Sequence, residues 1–346
     1  MKNSKIGYAV VGLGIGMAHA DAAYEYDKCE LVAVCDINKD RLKKASEKYA
    51  GVKCYESFDE LLLDKEVDIL SICLPSGMHA DYSVKALEAG KHVLVEKPVD
   101  ITVEAAMKID ECARRTGLKA GVIHQNRNNA LMKPIKDAID SGRLGKLVLG
   151  TFAVKWHREQ HYYEGWHGTW DMDGGGSLMN QAVHTVDLMQ WLMGDVESVS
   201  SKMGIYGHDI ETEDLTTSVV SFKNGACATF VSTTCAYPGI STEICLYGTG
   251  GSIEADADKL KLWKLTDSWD IDEEEAEMLE KYGEGNLSAE KDDPDIVCGH
   301  KSMIIDIVDA VIENREPQIS IKEACKSVRI VNAVYESART GKTVTL

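Results

Sequence analysis

The chain has 346 residues, and its 38 basic and 56 acidic side chains give a formal net charge of −18 at pH 7. Hydrophobic residues make up 44% of the sequence and charged residues 27%, a composition of folded proteins that excludes a disordered chain. The strong acidity argues against a nucleic-acid partner, because phosphate recognition requires a basic surface. A chain of this length is expected to form two domains.

The ten cysteines form no C-x-x-C pair, and several lie in apolar runs that are typical of buried strands. A disulfide framework belongs to small secreted chains, which this chain does not resemble. The first residues lead directly into the apolar run Ile6–Val11, with no signal-peptide core before it. No stretch reaches the ~18 apolar residues of a membrane span. We therefore expect a cytoplasmic protein with reduced cysteines and no membrane partner.

The first third of the chain alternates short apolar runs with amphipathic helical stretches. This alternation predicts an α/β domain, a doubly wound parallel sheet covered by helices on both faces. The predicted strands are Ile6–Val11, Leu31–Cys35, Asp68–Leu74, His92–Val95 and Lys119–Ile123. The predicted helices are Ala18–Tyr26, Lys39–Tyr49, Ser57–Leu63, Ala80–Ala89 and Val103–Thr116. We place this domain at residues 1–124.

The pattern changes after residue 124, where strands begin to follow one another directly. A helix at Met132–Ser141, a strand at Lys146–Lys155 and a helix near Ala182–Met193 come first. Further strands are predicted at Val196–Met203, Leu215–Phe222, Ala226–Cys235, Thr242–Tyr247 and Lys259–Leu265, and helices at Lys301–Glu313 and Lys322–Thr340. The pair Asn224-Gly225 predicts a type I′ hairpin. Residues 125–346 are expected to form an α+β domain with a mostly antiparallel sheet.

Acidic residues concentrate in Asp267–Glu280 and in Asp292-Asp293-Pro294-Asp295. Their spacing does not match a calcium-binding loop. A solvated surface segment is therefore favoured over a cation-binding role.

A glycine-rich turn, Gly12-Leu-Gly14-Ile-Gly16, follows the first strand and opens the first helix. Gly12 permits the turn, and Gly14 lets a pyrophosphate approach the backbone N–H groups at the helix N-terminus. The third glycine of G-x-G-x-x-G is expected where Met17 stands. Asp36 ends the second strand about 20 residues further on, where a carboxylate binds ribose hydroxyls and repels a 2′-phosphate. No arginine directly follows Asp36, so the sequence predicts NAD rather than NADP as cofactor.

The motif Glu96-Lys97-Pro98 follows a buried strand at the sheet edge where open α/β sheets bind ligands. Its ammonium group is therefore expected to point into the crevice. With this motif the sequence resembles the Gfo/Idh/MocA oxidoreductases, the family of glucose–fructose oxidoreductase and inositol dehydrogenase, over essentially the whole chain. The resemblance is carried by Gly12-Leu-Gly14-Ile-Gly16-Met-Ala-His19, Cys73-Leu-Pro75-Ser76-Gly-Met-His79, Glu96-Lys97-Pro98, Asn126-Arg127, Gly174-Gly-Gly-Ser-Leu-Met-Asn180-Gln-Ala-Val-His184-Thr-Val-Asp187 and Tyr335-Glu-Ser-Ala-Arg339-Thr-Gly-Lys.

This resemblance implies an NAD-binding Rossmann domain followed by a domain with a large open sheet. The face of that sheet is expected to pack against another subunit, in a homodimer or homotetramer. The resemblance also implies the residues that contact the cofactor, namely Gly12, Gly14, Ile15, Gly16, Asp36, Leu74, Pro75, His79, Glu96 and Lys97.

The resemblance further implies that Lys97 and His184 form the catalytic pair. An imidazole has a suitable pKa range to take the hydroxyl proton, and a lysine can stabilise the developing alkoxide. Family members often carry Asp four residues before the histidine, where this chain has Asn180. An amide cannot titrate, so Asn180 is expected to orient the substrate hydroxyl. Asp187 either supports His184 from the next helical turn or is a buried helix residue.

The segment 156–170 is rich in aromatic residues and histidines, which suits the apolar C–H faces and hydroxyls of a pyranose. The predicted substrate-binding residues are Lys97, Arg127, Tyr163, Trp166, His167, Asn180 and His184. No carboxylate or Cys in the segment has convincing metal-ligand spacing, so no metal is predicted. An oligomer contact is the alternative role of this segment. His300 either reaches the site or caps or packs its helix.

These features predict an NAD-dependent dehydrogenase that oxidises a secondary hydroxyl of a sugar or glycoside, or reduces the matching keto sugar. The resemblance makes the 3-hydroxyl the first choice. One alternative is an NAD-assisted glycosidase that acts by transient oxidation and elimination. The other is a catalytically silent NAD-binding regulator, against which the joint presence of Lys97 and His184 argues.

Overall fold

The computed structural model of the protein describes residues 5–265, 270–283 and 299–346. Its contacts divide the chain into two compact units. The first unit comprises Met1–Gln125 and Gly299–Cys325, and the second comprises Asn126–Cys298 and Lys326–Leu346. The segment 299–325, predicted from the sequence to lie in the C-terminal domain, thus groups with the first unit. The reason is that the helix beginning at Gly299 packs against the first helix of the chain.

The first unit contains a six-stranded parallel sheet in the order β3-β2-β1-β4-β5-β6. Its strands are β1 (Ile6–Val11), β2 (Cys29–Cys35), β3 (Lys53–Tyr55), β4 (Ile69–Ile72), β5 (His92–Val95) and β6 (Ala120–Val122). Its helices between the strands are α1 (Gly16–Glu25), α2 (Lys39–Lys48), α3 (Phe58–Leu62), α4 (His79–Glu88) and α5 (Val103–Thr116). The predicted Rossmann fold is confirmed. The edge strand β3 was missed, because three residues with mostly exposed side chains leave no apolar run.

The second unit contains an eight-stranded sheet in the order β13-β12-β11-β7-β10-β9-β8-β14. Its strands are β7 (Leu147–Lys155), β8 (Val196–Gly204), β9 (Leu215–Phe222), β10 (Cys227–Thr233), β11 (Ser241–Gly248), β12 (Ser252–Asp256), β13 (Lys259–Lys264) and β14 (Val344–Thr345). The later helices of the chain are α6 (Met132–Asp140), α7 (Val183–Met193), α8 (Glu273–Tyr282), α9 (Gly299–Glu313) and α10 (Ile321–Thr340). Strands β7 and β10 pair in parallel, and the other neighbouring strands pair antiparallel, which confirms the prediction of a mostly antiparallel sheet.

The two faces of this sheet differ in what covers them. On one face, buried side chains of the strands, such as Phe152 and Phe230, form a continuous core with side chains of α6, α7 and α10. Successive residues of a strand point to opposite faces. The other face therefore carries the alternate positions, among them Val219, whose side chain is 55% exposed.

Two local predictions are corrected by the structure. The hairpin between β9 and β10 forms, but of the loop residues only Gly225 has a positive φ, of 86°. A type I′ turn requires positive φ at two residues, so the loop is a three-residue turn that ends on a left-handed glycine. In the acidic segment, residues 273–282 form α8, and Glu275 is buried and paired with Lys264. Asp267 and the run at 292–295 lie outside the described residues.

Within the described part of the chain, no helix is long and apolar enough to cross a membrane. The cytoplasmic location stays a prediction.

Candidate active site

The three glycines of the turn between β1 and α1 differ in how much space surrounds them. Gly12 has φ of 86°, and a Cβ there would lie 2.2 Å from the carbonyl oxygen of Cys73. A Cβ at Gly14 would meet no atom within 4 Å. A Cβ at Gly16 would lie 2.8 Å from Val10 Cγ1, so Gly16 provides the close packing of helix on strand that the third glycine of the motif usually provides. The turn thus leaves backbone open for a ligand at Gly14, and the predicted contact residue Ile15 beside it is exposed.

Asp36 lies at the end of β2 and ties the glycine turn to this strand. Its Oδ2 accepts a hydrogen bond of 2.7 Å from the backbone N–H of Leu13, and its Oδ1 accepts one of 2.7 Å from the N–H of Asn38. An ionised carboxylate has about four lone-pair sites, so acceptor sites remain for ribose hydroxyls. The guanidinium of Arg41, on the first turn of α2, lies 3.5 Å from Oδ2. The sequence analysis considered only the residues directly after Asp36 and therefore missed Arg41. The first turn of α2 brings this arginine close to the carboxylate.

The loops that follow β4 and β5 are joined by His79. Its Nδ1 lies 2.7 Å from the carbonyl oxygen of Pro98, and its Nε2 lies 2.8 Å from that of Leu74. Burial lowers the pKa of His79, while its hydrogen bonds to these two carbonyls and the nearby carboxyl groups of Asp100 and Glu96 act in the opposite direction. Leu74 and Pro75 are half-buried on the first of these loops. The role of His79 that the structure displays is to hold the two loops together, and its contact with the cofactor stays a prediction.

Glu96 is buried directly before Lys97. Its Oε1 lies 2.9 Å from His19 Nε2 and 3.2 Å from His300 Nε2. Its Oε2 accepts a hydrogen bond of 3.0 Å from the backbone N–H of Lys97, whose side chain is half-buried. Burial opposes ionisation of this carboxyl, but the hydrogen bonds from the two histidines outweigh it and hold its pKa well below the usual range.

The carboxyl group of Glu96 thus holds the backbone of the catalytic candidate Lys97. From the sequence, His19 was only one residue of the glycine motif, with no role assigned. His300 was expected either to reach the site or to cap or pack its helix, and the structure shows that it contacts Glu96. The side chains of His19, Glu96 and His300 lie close enough together to hold a metal ion. The same is true of His208, Asp214 and Cys235. Hydrogen bonds already account for the short distances at Glu96.

In the second unit, Asn180 and His184 are carried by a turn of π-helix, Ser177–Gln181, that leads into α7. The buried carboxylate of Glu213 holds the start of this turn. It accepts hydrogen bonds of 3.0 to 3.1 Å from the backbone N–H groups of Gly176, Ser177 and Leu178. It also accepts hydrogen bonds from the hydroxyls of Ser177 and Tyr335, at 2.7 and 2.6 Å. The position of His184, the second residue of α7, is thereby anchored by side chains far along the chain.

Around Asn180 lies a cluster of polar and aromatic side chains. Asn180 Nδ2 lies 2.5 Å from Oδ1 of the buried Asp173 and 3.3 Å from His167 Nδ1. Asn180 Oδ1 accepts a hydrogen bond of 3.2 Å from the hydroxyl of Tyr162. The ring of Tyr162 stacks on His167, with centroids 4.5 Å apart, and the ring of Trp166 also packs against that imidazole, with centroids 3.9 Å apart. Predicted and unpredicted residues thus meet here: Asn180, His167 and Trp166 with Tyr162 and Asp173.

Two other predicted substrate residues have protein partners. The hydroxyl of Tyr163 lies 2.7 Å from Thr234 Oγ1, the side chain is buried, and burial raises its pKa. Arg127 forms a bidentate pair with Asp187, with Nε–Oδ2 and Nη2–Oδ1 distances of 2.7 and 2.6 Å. Asp187 therefore holds an arginine, which is a role that was not considered from the sequence. Substrate contacts of Tyr163 and Arg127 stay predictions.

Comparison with known proteins places these sites in a family. A family model of oxidoreductases with an NAD-binding Rossmann fold matches residues 6–124, and a model of the GFO/IDH/MocA C-terminal domain matches residues 132–254. Together they cover more than half of the chain. The chain belongs to the Gfo/Idh/MocA family of oxidoreductases. The predicted family, its enzyme class and NAD as its cofactor are confirmed.

Three relatives illustrate the range of this family. Crystal structures of the WlbA dehydrogenases from Chromobacterium violaceum and Bordetella pertussis, each in complex with NADH and UDP-GlcNAcA, match with TM-scores of 0.89 and 0.86 and identities of 32% and 30%. They cover 100% and 99% of this chain and 97% and 99% of their own. D-glucoside 3-dehydrogenase from Escherichia coli is 28% identical over 56% of this chain. The aligned region spans only 56% of that curated relative's length, and 55% and 60% of two others.

The residues of the first unit fit the cofactor of the Gfo/Idh/MocA family. The open space at Gly14 admits a pyrophosphate beside the N-terminus of α1, and Asp36 offers a carboxylate to a ribose. Lys97 and Glu96 follow β5 at the same carboxyl end of the parallel sheet. The residues that would hold NAD are therefore those of the glycine turn, Asp36 and the loops after β4 and β5.

Proposed function

We propose that the protein is an NAD-dependent dehydrogenase that oxidises a secondary hydroxyl of a sugar or glycoside, or reduces the corresponding keto sugar. The observation that carries the proposal is the cluster around Asn180, next to the helix start that bears His184. This cluster offers a hydroxyl, an amide, an imidazole and two aromatic faces within contact distance of one another. Aromatic faces bind the C–H surfaces of a pyranose, and the polar atoms bind its hydroxyls.

In this proposal the protein positions the reacting C–OH group and removes its proton. His184 takes the hydroxyl proton as general base, since imidazole titrates near neutral pH. The ammonium of Lys97 hydrogen-bonds the reacting oxygen and stabilises its developing negative charge. Asn180 orients the hydroxyl for these steps. Bound NAD supplies the chemistry of hydride transfer.

The 3-hydroxyl is the position we propose for the reaction. Support comes from the relative named D-glucoside 3-dehydrogenase, which shares 28% identity over the aligned region.

A charged substituent on the sugar is a second element of the proposed substrate. The guanidinium of Arg158 lies 5.2 Å from the ring centroids of both Trp156 and Tyr162, and Tyr162 contacts Asn180. Among the residues that the structure describes, no carboxylate lies within salt-bridge distance of Arg158. A guanidinium held between aromatic rings binds carboxylates and phosphates well. This arrangement favours an anionic sugar, such as the UDP-linked uronate bound to the two WlbA dehydrogenases.

The proposal is tested by measuring NADH formation with a panel of neutral sugars, inositols, glycosides, uronates and UDP-GlcNAcA, followed by product analysis. We expect turnover with anionic sugars to exceed turnover with neutral ones. Arg158→Gln should raise KM for the anionic substrate about 10-fold or more, which corresponds to the loss of roughly 1.4 kcal/mol of binding, and leave KM for neutral sugars unchanged. Equal effects on both substrate classes would exclude the anionic subsite.

The catalytic roles are tested with Lys97→Met and His184→Asn. Loss of an acid–base group costs about 10²–10⁴-fold in rate, and loss of an electrostatic stabiliser about 10²–10³-fold. We expect both variants to bind NAD normally and to lose kcat. The matched control is Lys44→Met, at an exposed lysine of α2. Wild-type kcat in both variants would place the chemistry elsewhere.

We also propose that the protein assembles as a homodimer or homotetramer through the exposed face of the second sheet. The strand positions that point outward there include Val219 and Thr217 of β9 and Cys227 and Thr229 of β10, all of them exposed. Small and β-branched side chains on an exposed sheet face suit packing against a second copy.

A further inference from the structure

Asp173 lies directly against Asn180, which stands four residues before His184. Its side chain is fully buried, and its Oδ1 lies 2.5 Å from Asn180 Nδ2. Its Oδ2 accepts a hydrogen bond of 2.8 Å from the backbone N–H of Gly168. Both oxygens of Asp173 therefore act as hydrogen-bond acceptors. A carboxylate that is absent at position 180 is thus present one hydrogen bond away.

This contact fixes the orientation of the Asn180 amide. The atom that faces Asp173 must be the nitrogen, because a carboxylate oxygen cannot donate. The Tyr162 hydroxyl donates to Asn180 Oδ1, and an unprotonated His167 Nδ1 can accept from Asn180 Nδ2, so both contacts are compatible with this orientation. The amide oxygen is therefore held on the side of Tyr162, where it is an acceptor.

We infer that Asp173 is a positioning residue for catalysis, which fixes the orientation in which the Asn180 amide meets the substrate hydroxyl and places a carboxyl group beside that amide. This inference rests on the proposed function, in which Asn180 orients that hydroxyl. Without Asp173 the amide can rotate and present its nitrogen instead. Misplacement of an orienting group by such a change costs on the order of 10²-fold in rate.

The first test is the single variant Asp173→Asn. We expect kcat to fall about 10- to 100-fold, with NAD affinity unchanged because the dinucleotide residues lie in the other unit. Asn180→Asp should also lose activity near neutral pH, because two carboxylates 2.5 Å apart share one proton and the pKa of the pair rises. Its pH–rate profile should therefore differ from that of the wild type.

The decisive variant exchanges the two side chains, Asp173→Asn with Asn180→Asp. It restores one carboxyl group and one amide in the same contact, with their positions exchanged. We expect its kcat to recover to within a few-fold of wild type, and its pH–rate profile to return towards that of the wild type, which tests the pairing of positions 173 and 180 in catalysis. Wild-type kcat and pH profile in Asp173→Asn, or no recovery in a folded exchange variant, would overturn the inference.

A readout without turnover separates this inference from the proposed function. In protein labelled with ¹⁵N at the asparagine side chains, the Asn180 resonance is assigned by its loss in Asn180→Asp. We expect its hydrogen-bonded proton to resonate downfield and exchange slowly with solvent, and both properties to disappear in Asp173→Asn. An unchanged resonance would refute the pairing whether or not a substrate is found. Absence of turnover with every sugar in the panel, with the resonance as expected, would refute only the proposed function.

Discussion

The three glycines of the dinucleotide turn are required for different physical reasons. Gly12 adopts a left-handed conformation and its Cα closely approaches the backbone of Cys73, so the fold itself excludes a side chain there. Gly16 lets α1 pack on β1. Gly14 has free space around its Cα in the protein alone. The approach of a ligand would explain a glycine at this position, as the proposed NAD site requires.

This difference predicts opposite outcomes for two matched variants. Gly12→Ala places a side chain in a left-handed conformation, which costs roughly 1–2 kcal/mol, and also clashes with Cys73, so unfolding by urea should begin at a lower concentration. Gly14→Ala should change the free energy of unfolding by less than about 0.5 kcal/mol. Titration with NAD should nevertheless show affinity lowered about 10-fold or more, a loss of roughly 1.4 kcal/mol. Normal NAD affinity in Gly14→Ala would show that the pyrophosphate does not approach there.

Single side chains were the hardest level to predict from the sequence. Tyr162 and Tyr163 are neighbours with similar patterns, and only the fold shows that Tyr162 reaches Asn180 while Tyr163 is buried against Thr234. Asp173 directly precedes the glycine run, and no sequence pattern around it indicated a place in the site. Asp36 was easier, because its place at the end of a strand follows from the strand pattern.

At the scale of elements, the glycine run before α7 provides close packing rather than ligand binding. A Cβ at Gly175 would lie 2.0 Å from the hydroxyl of Tyr335, and one at Gly176 would lie 1.9 Å from the carbonyl oxygen of Glu213. These approaches let Glu213 reach three backbone N–H groups of the π-turn. Burial raises the pKa of Glu213, against the hydrogen bonds that favour its ionised form. The turn that carries Asn180 and His184 is therefore rigidly held.

Three elements of the first unit, β5, α1 and α9, meet at Glu96 through His19 and His300. Hydrogen bonds to charged groups contribute about 1.5–3 kcal/mol, so Glu96→Gln should lower the free energy of unfolding by about that amount at pH 7. The folded-state pKa of Glu96 is depressed, so this contribution is full above the unfolded value of about 4.3 and is lost as the pH falls below it. Urea denaturation at several pH values measures the difference between wild type and variant.

The control for that experiment is Glu164→Gln, at an exposed glutamate in the second unit. It should leave stability unchanged at every pH. A wild-type-minus-variant difference for Glu96→Gln that stayed constant down to pH 3 would contradict the assigned ionisation.

At the scale of the whole molecule, the exposed face of the second sheet bears on assembly. Light scattering at micromolar concentration should give a mass that is two or four times 38.0 kDa. Val219→Glu places a charge on this face and should shift the mass towards the monomer, because burying an unpaired charge is costly. Leu63→Glu, at an exposed leucine of the first unit, is the matched control and should not change the mass. A monomeric wild-type protein would contradict the proposed interface.

The sequence by itself determined the order of most helices and strands and the kind of each sheet. Burial imposes a period of two on strands and 3.6 on helices, and these local periods are visible in any window of the chain. The strands β3, β12 and β14 and the helix α8 were missed. Little of β3 and α8 is buried, and β14 has only two residues. The glycine turn, Asp36 and Lys97 could be located because each directly follows a predicted strand.

The tertiary structure alone decided which side chains meet. Glu96 with His300, Glu213 with Tyr335 and Arg127 with Asp187 join residues far apart in the chain. Each buried charge needs a partner, but the sequence offers many candidates of suitable charge, and only the path of the folded chain brings one within hydrogen-bond distance. The same holds for Asp173 and Asn180, because the loop between them is shaped by Glu213 from another part of the chain.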